Sequence, residues 1–355
     1  MIVRNEAKFL AACLQSITDL VGEIVVVDTG STDDTVAIAQ AFGTRVSFFP
    51  WRDDFAAARN HAIEQASGDR LLYIDADERV RPCDRTAILT DLDAPHRLAA
   101  TVEFRPRTGF TAYRETRLLR RDPRIRFHGA MHETFLPDLE RLEHQGMGVT
   151  GNSRLAIDHV GYDGDQSHKF ERNLRLLSKQ IEADPERSYL RWHQGAVLAA
   201  SGQPEAAEAA WLAGAQIVRN RPRRKSDDVM CHIDLIKLYL SQGRDASALL
   251  VEGLALQPGN WLLHWLHAKT LAAAGAYLQA IAIHERLAAV DAATLVDAIA
   301  YDARIFGAWA CAEIAHIAFQ QADYATSAAW YGRAEARAPG CQEFRIKRRL
   351  ATARA

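Results

Sequence analysis

Apolar residues recur along the first eighty positions in two alternating rhythms. Ile2-Val3 opens as a strand. Phe9, Leu10, Leu14 and Ile17 then share one helical face, which predicts a helix over 6–18. Glu23-Ile24-Val25-Val26-Val27-Asp28 is a β-branched run of the kind carried by a parallel strand buried on both faces. Thr29-Gly30-Ser31-Thr32-Asp33-Asp34 interrupts it, and Thr32 or Asp33 is placed to cap a helix through Val36, Ile38, Ala39 and Phe42. A strand is predicted over 45–49, a helix over 53–66 ended by Gly68, and a fourth strand at Leu71-Leu72-Tyr73-Ile74. Such alternation builds a parallel sheet with right-handed crossovers.

Past Pro95 the rhythm changes. Strands are predicted over 101–104, 113–119, 125–127 and 155–160, broken by Arg, Gly and Pro, as an antiparallel extension. From Gln166 onward the pattern is helical. Residues 169–183 carry Phe170, Leu174, Leu177 and Ile181 at helical spacing, with Pro185 behind them. Small residues and aromatics then return weakly: Gly195, Gly202, Ala207, Trp211 and Gly214, then Tyr239, Gly243, Gly275, Tyr277, Ala322, Tyr324 and Tyr331. The turns at Gly202, Gly243, Gly275 and Ala322 stand 41, 32 and 47 residues apart. That resembles a degenerate array of tetratricopeptide helical hairpins, whose period is roughly 34. The expected architecture is an α/β domain with a mixed sheet over 1–165, followed by an all-α helical-repeat domain over 166–355.

Composition narrows the class without naming a function. A chain of 355 residues exceeds one small core. Its 48% hydrophobic and 25% charged content is that of a soluble globular protein. A formal net charge of -2 makes no electrostatic case for nucleic-acid or membrane partners. Cys13, Cys83, Cys231, Cys311 and Cys341 are scattered without a CxxC pair. They argue for a reducing, cytoplasmic compartment and against a disulfide framework or zinc site. No signal-peptide pattern is visible, and no apolar run reaches the ~18 residues of a transmembrane helix.

Chemistry concentrates where Leu71-Leu72-Tyr73-Ile74 runs into Asp75-Ala76-Asp77-Glu78. Carboxylates at the C-terminal end of a strand face the crevice that α/β ligands occupy. A hard divalent cation takes oxygen ligands there and bridges to a substrate phosphate. The alternative is a turn in which Asp75 caps a following helix. Asp54 to Asn60 begin a helix whose N–H groups, with Arg59, favour an anion; the alternative for Arg59 is a solvated helix face. His128 and His132 are four apart across Gly129, with no helix to align them as a zinc pair. Arg114, Arg117, Arg120, Arg121, Arg124 and Arg126 read as alternation on an exposed extension, and Arg219 to Lys225 as a solvated loop.

Several segments together resemble a family-2, GT-A-fold glycosyltransferase that uses a nucleotide-diphosphosugar. They are Met1-Ile2-Val3-Arg4-Asn5-Glu6, Val25-Val26-Val27-Asp28-Thr29-Gly30-Ser31-Thr32-Asp33, Asp53-Asp54-Phe55-Ala56-Ala57-Ala58-Arg59-Asn60 and Asp75-Ala76-Asp77-Glu78. His132-Glu133 and His159-Val160-Gly161-Tyr162 are similar to later motifs of a bacterial branch with helical repeats. The resemblance implies a UDP-sugar donor held by Arg4, Asn5, Glu6, Asp28, Ser31, Asp54, Arg59, Asn60 and Asp75. Within that set Asp28 would accept the uracil imide N–H, and Asp75 would face the ribose or reach the metal through water. Asp28 also reads as the start of an Asx turn. Mn²⁺ or Mg²⁺ would sit on Asp77 and His159, although His159 reads equally as an ordinary strand-end histidine. Glu78 would cap or stand behind the ligands, and Glu133 would be the base of an inverting transfer. Members of the family carry apolar residues ahead of Met1-Ile2-Val3, so the first strand is expected to be short at its start.

The expected function is metal-dependent sugar transfer to an acceptor the residues do not identify: a glycan, lipid-linked molecule, peptide or protein. The helical repeats would bind a protein or mediate dimerisation. The alternative is a helical-repeat scaffold with an inactive, nucleotide-binding transferase domain. A sugar nucleotidyltransferase would need a Gly-rich loop after the first strand, and Arg4-Asn5-Glu6-Ala7 is not one.

Overall fold

The computed structural model describes residues 1–94, 96–106, 108–161, 170–221 and 227–355. The expected boundary at 165/166 lies outside the described residues, as do Tyr162, Gln166, Lys169 and Lys225. Two compact units emerge. One comprises residues 1–108, 112–183 and 296–298; the other comprises 109–111, 184–295 and 299–355.

The first unit holds two sheets. Parallel β1 (Ile2–Val3), β2 (Val25–Asp28) and β3 (Arg45–Phe48) lie in that order, with α1 (Ala7–Ile17), α2 (Thr35–Ala41) and α3 (Phe55–Gln65) between and after them. β2 is buried throughout, as its unbroken β-branched run requires. The cap expected from Thr32 or Asp33 is displaced. Asp34 holds the N-cap position without a side-chain bond, Asp33 accepts from the Thr35 N–H, and the Thr32 N–H goes to Asn5 Oδ1.

The second sheet runs β4 (Arg70–Leu72), β7 (Ala112–Arg120), β6 (Arg97–Arg105), β8 (Val149–His159) and β5 (Glu78–Val80), with β9 (Val296–Asp297) beside β7. The fourth strand is therefore not part of the parallel sheet. β4 pairs antiparallel with β7, setting Leu71 against Leu119 and Leu72 against Leu118. Cross-strand apolar pairing at this edge decides its partner. The extension is mixed, since β6 is antiparallel to β7 and parallel to β8.

The strand expected over 125–127 does not form. Ile125 and Phe127 are buried with Phe135 and Leu139, and both backbone groups of Phe127 bond the Asn60 side chain. Helices α4 (Arg85–Leu92) and α5 (Leu136–His144) lie outside the expected pattern; the first is capped by Asp84, and the second buries Leu139 and Leu142. Helix α6 (Phe170–Ala183) also belongs to this unit. Its Gln180 accepts from the Met131 N–H, and its Arg175 pairs with Asp53.

The second unit is a run of helical hairpins. Among the described residues the pairs are α7 (Ser188–Ala200) with α8 (Pro204–Asn220), α9 (Met230–Ser241) with α10 (Ser247–Leu256), α11 (Trp261–Ala273) with α12 (Tyr277–Ala288), and α13 (Gly307–Gln320) with α14 (Tyr324–Arg337). Helix α15 (Gln342–Thr352) follows. Gly202, Gly243, Gly275 and Ala322 close the four hairpins with φ of 78°, 68°, 79° and 60°, the left-handed conformation that ends helices and favours glycine. The longest interval, before Ala322, contains β9 and a 3₁₀ turn at Ala303–Ile305. Buried Trp211, Leu235, Ile236, Leu250 and Leu263 form one core cluster.

Candidate active site

Asp75 does not cap a helix. Its carbonyl accepts from the Glu78 N–H at 3.1 Å, and its own N–H donates to Glu78 Oε2 at 3.0 Å, closing a turn that leads into β5. The turn is tied to the end of β8. The Asp77 carbonyl accepts the Val160 N–H at 2.8 Å and the Gly161 N–H at 3.3 Å. Gly161 must be a glycine here, because a Cβ would lie 2.1 Å from Asp77 Oδ2.

His159, the last residue of β8, points Nε2 at Asp77 Oδ2 from 3.0 Å. Its Nδ1 lies 2.8 Å from the Pro106 carbonyl. A carbonyl only accepts, so Nδ1 carries a proton and Nε2 is left for Asp77. The hydrogen bond to Asp77 raises the His159 pKa above its ordinary value. A divalent cation in place of the shared proton would find an imidazole nitrogen and a carboxylate oxygen already converging. The carbonyl behind Nδ1 is the support that metal-binding histidines receive. Among the described residues, no group of three or more His, Cys, Asp or Glu converges as a complete cage. A cation here would thus take its other ligands from water and substrate oxygens.

Arg59, projecting from α3, joins two of the expected residues. Its Nη1 and Nη2 reach Asp75 Oδ1 and Oδ2 at 2.9 and 3.0 Å, and its Nε reaches Glu133 Oε1 at 2.5 Å. Its side chain is 12% exposed, so the solvated-face alternative fails. Burial works against this guanidinium's charge, but Asp75 and Glu133 more than offset it and raise the pKa. Burial likewise opposes the Asp75 charge, and Arg59 overrides it, holding the carboxyl below the usual range.

The remaining expected residues occupy local networks. Asn5, at φ 56°, donates its N–H to Ser31 Oγ, while its Oδ1 accepts from Thr32. The Glu6 N–H goes to Thr35 Oγ1. Asp28 is buried and accepts the N–H groups of Gly30 and Ser31, the Asx-type turn. Asp54 caps α3 through the Ala57 N–H. Asn60 holds Phe127. Arg4 is exposed at the start of this loop. His128 Nε2 bonds Asp138 at 2.8 Å.

Sequence reasoning missed Arg117. It is not on an exposed extension: it is buried and bonds Glu78 Oε1 at 2.8 Å and Glu115 Oε2 at 3.2 Å. Strand alternation from Leu119 would have placed it on the inward face. Burial raises the Glu78 pKa to about 7, with Arg117 pulling the other way. Arg219 is likewise not in a loop; it lies in α8 and pairs with Glu252. A cavity of about 410 Å³ behind Arg59 has Ile17, Leu20, Val25, Leu71, Leu92 and Leu118 in its wall, with Arg70 and Arg85 among the polar residues that line it.

Residues 1–151 match the family model for Glycosyl transferase family 2. This segment belongs to that family. The chain is 39% identical over 219 residues to the TPR repeat-containing protein Synpcc7942_0270 of Synechococcus elongatus, covering 60% of this chain and 54% of that protein. It is 28% identical over 202 residues to the SPbeta prophage-derived glycosyltransferase SunS of Bacillus subtilis, covering 52% and 45%. The chain spans about half the length of these curated relatives. Glucosyl-3-phosphoglycerate synthase from Mycobacterium tuberculosis, solved with Mn²⁺, UDP and glucosyl-3-phosphoglycerate, is 19% identical with a TM-score of 0.36, covering 50% of this chain and 77% of that one. Asp75, Asp77 and Glu133 fall inside the family-2 segment, and His159 follows shortly after its end. No helix among the described residues is long and apolar enough to cross a membrane.

Proposed function

We propose that the protein is a metal-dependent glycosyltransferase that moves a sugar, with inversion, from a UDP-sugar to an acceptor nucleophile. The observation that carries this is the Asp77–His159 pair at the strand ends, in the same turn as the Arg59-bound Asp75. Bound Mn²⁺ or Mg²⁺ would neutralise charge on the departing nucleoside diphosphate. Asp77 and His159 would hold it. Asp75 would face the ribose, Asp28 the uracil, and Arg4, Asn5, Glu6, Ser31, Asp54 and Asn60 would shape the donor loops.

Glu133 would accept the acceptor's proton. Arg59 holds one of its oxygens, and the donor's phosphates would offer that guanidinium another partner and so free the oxygen. The helical unit would bind a protein partner or join two copies. A reducing, cytoplasmic setting suits the five free cysteines.

A second reading has its own support. Arg59 already neutralises both Asp75 and Glu133, as an inactive nucleotide-binding scaffold would tolerate. UDP-sugar turnover with and without Mn²⁺ separates the two. The transferase reading expects Asp77→Ala to lose at least about 100-fold in metal-dependent turnover with the fold intact. It expects Glu133→Gln to bind donor but not transfer. Unchanged turnover in Asp77→Ala sinks the metal role, and retained transfer in Glu133→Gln removes it as base.

A further inference from the structure

We infer that Arg117 is a positioning residue of the site, acting through Glu78 on the Asp75–Asp77 turn; this rests on the transferase reading above. Arg117 and Glu78 are 6% and 1% exposed. Burying two charges carries a desolvation penalty that their attraction often fails to repay, and apolar replacements of equal volume are commonly neutral or stabilising. The fold therefore has little need of this pair. What it does is local. One Glu78 oxygen takes Arg117 Nη2 at 2.8 Å, and the other accepts the Asp75 N–H at 3.0 Å.

The guanidinium is fixed from several sides. Glu115 Oε2 accepts from both Arg117, at 3.2 Å, and the Tyr113 hydroxyl, at 3.0 Å. The Tyr73 and Phe104 rings lie 4.5 and 4.8 Å from its central carbon. Arg117 Nε is buried with no hydrogen-bond partner among the described residues, so the Nη groups and their carboxylates set the orientation. On the other side of the turn, Arg59 grips the Asp75 carboxylate and also faces Tyr73, at 5.4 Å. Asp75 is thus held at its side chain by one arginine and at its backbone, through Glu78, by the other. Asp77 follows two residues later and inherits that placement. A shift of ~1 Å in such a group costs about 100-fold in rate.

The test measures UDP binding to the full chain by titration calorimetry across a Mn²⁺ series. Arg117→Met keeps the volume and removes the charge. It should raise the Mn²⁺ concentration for half-maximal UDP binding at least about tenfold; because it leaves the buried Glu78 carboxylate without its cation, its melting midpoint should also fall. Arg117→Lys should recover most of the loss, because the cation remains within reach of Glu78. If Arg117→Met melts early, Glu78→Gln decides: it keeps the bulk and an acceptor for the Asp75 N–H but loses the ion pair, and the same Mn²⁺ shift is expected. Wild-type Mn²⁺ dependence in both variants overturns the inference. A wild-type protein that binds no UDP at any Mn²⁺ concentration overturns the transferase reading itself.

Discussion

The two units treat their buried arginines and histidines in opposite ways. In the first, Arg59 and Arg117 are surrounded by carboxylates and held more firmly charged than usual despite burial, and Asp75 is held ionised by Arg59. In the second, burial pulls His232 below its ordinary value and His284 down to about 4, keeping both rings neutral. The helical unit keeps a buried carboxylate, Asp228, where Arg221 pairs with it, but its buried histidines stay uncharged. The donor site proposed for the first unit would need charge held ready before a diphosphate arrives. The contrast predicts that the same small perturbation costs stability in one unit and function in the other.

Gly195 offers the largest test. It sits in α7, where an added Cβ would lie 2.2 Å from Trp211 Nε1. That indole nitrogen donates to the Trp192 carbonyl at 3.1 Å, so it cannot retreat without losing a bond. Gly195→Ala should destabilise the second unit by about 3 kcal/mol through overpacking and the lost hydrogen bond. Chemical denaturation followed by tryptophan fluorescence reads it well, since six of the seven tryptophans (Trp192, Trp211, Trp261, Trp265, Trp309 and Trp330) lie in that unit. UDP binding by the first unit should be unaffected.

Gly161 is the counterpart, with a Cβ that would strike the Asp77 carboxylate. On the proposed transferase reading, Gly161→Ala should cut metal-dependent transfer about 100-fold, equivalent to ~2.7 kcal/mol, by moving the proposed ligand Asp77. Its melting midpoint should stay near wild type. An early-melting protein with normal transfer per folded molecule would erase the distinction between the two glycines.

Much of this contrast is legible in the chain, and the illegible part has a pattern. The β-branched run at Val25-Val26-Val27 and the turns at Gly202, Gly243 and Gly275 are local signals, and the expected strand and hairpins form there. Asp75 and Asp77 stand out as paired carboxylates at a strand end, whereas His159 is picked out by the family resemblance rather than by its surroundings in sequence. What fails depends on distant pairing. Leu71-Leu72 reads as any apolar strand, and only Leu118 and Leu119 make it antiparallel. Phe127 reads as a strand residue until Asn60 takes its backbone. Arg117 lies among six arginines, and nothing nearby in sequence shows that Glu78 waits for it, 39 residues back. Spatial partners of charged residues are the least local information in this chain.

The smallest effect concerns His284, and its sign follows from the neutral ring. Neither ring nitrogen has a hydrogen-bond partner among the described residues, and Trp265 packs against it edge-on at 5.1 Å. Burial is the main cause of the depressed pKa; Lys269 adds to it and Glu313 opposes it. The unfolded ring titrates near 6.5 and the folded ring near 4, so the unfolded chain takes up a proton first as pH falls. Stability is then fully present above ~6.5 and drains away toward 4. Between pH 7 and 5 the loss from this residue is about 2 kcal/mol. Denaturation of wild type and His284→Leu at both values isolates it: the wild type should lose that much more than the variant across the interval. Equal losses would mean that the second unit accepts a charged ring in its core, and the opposition between the two units would then rest on packing alone.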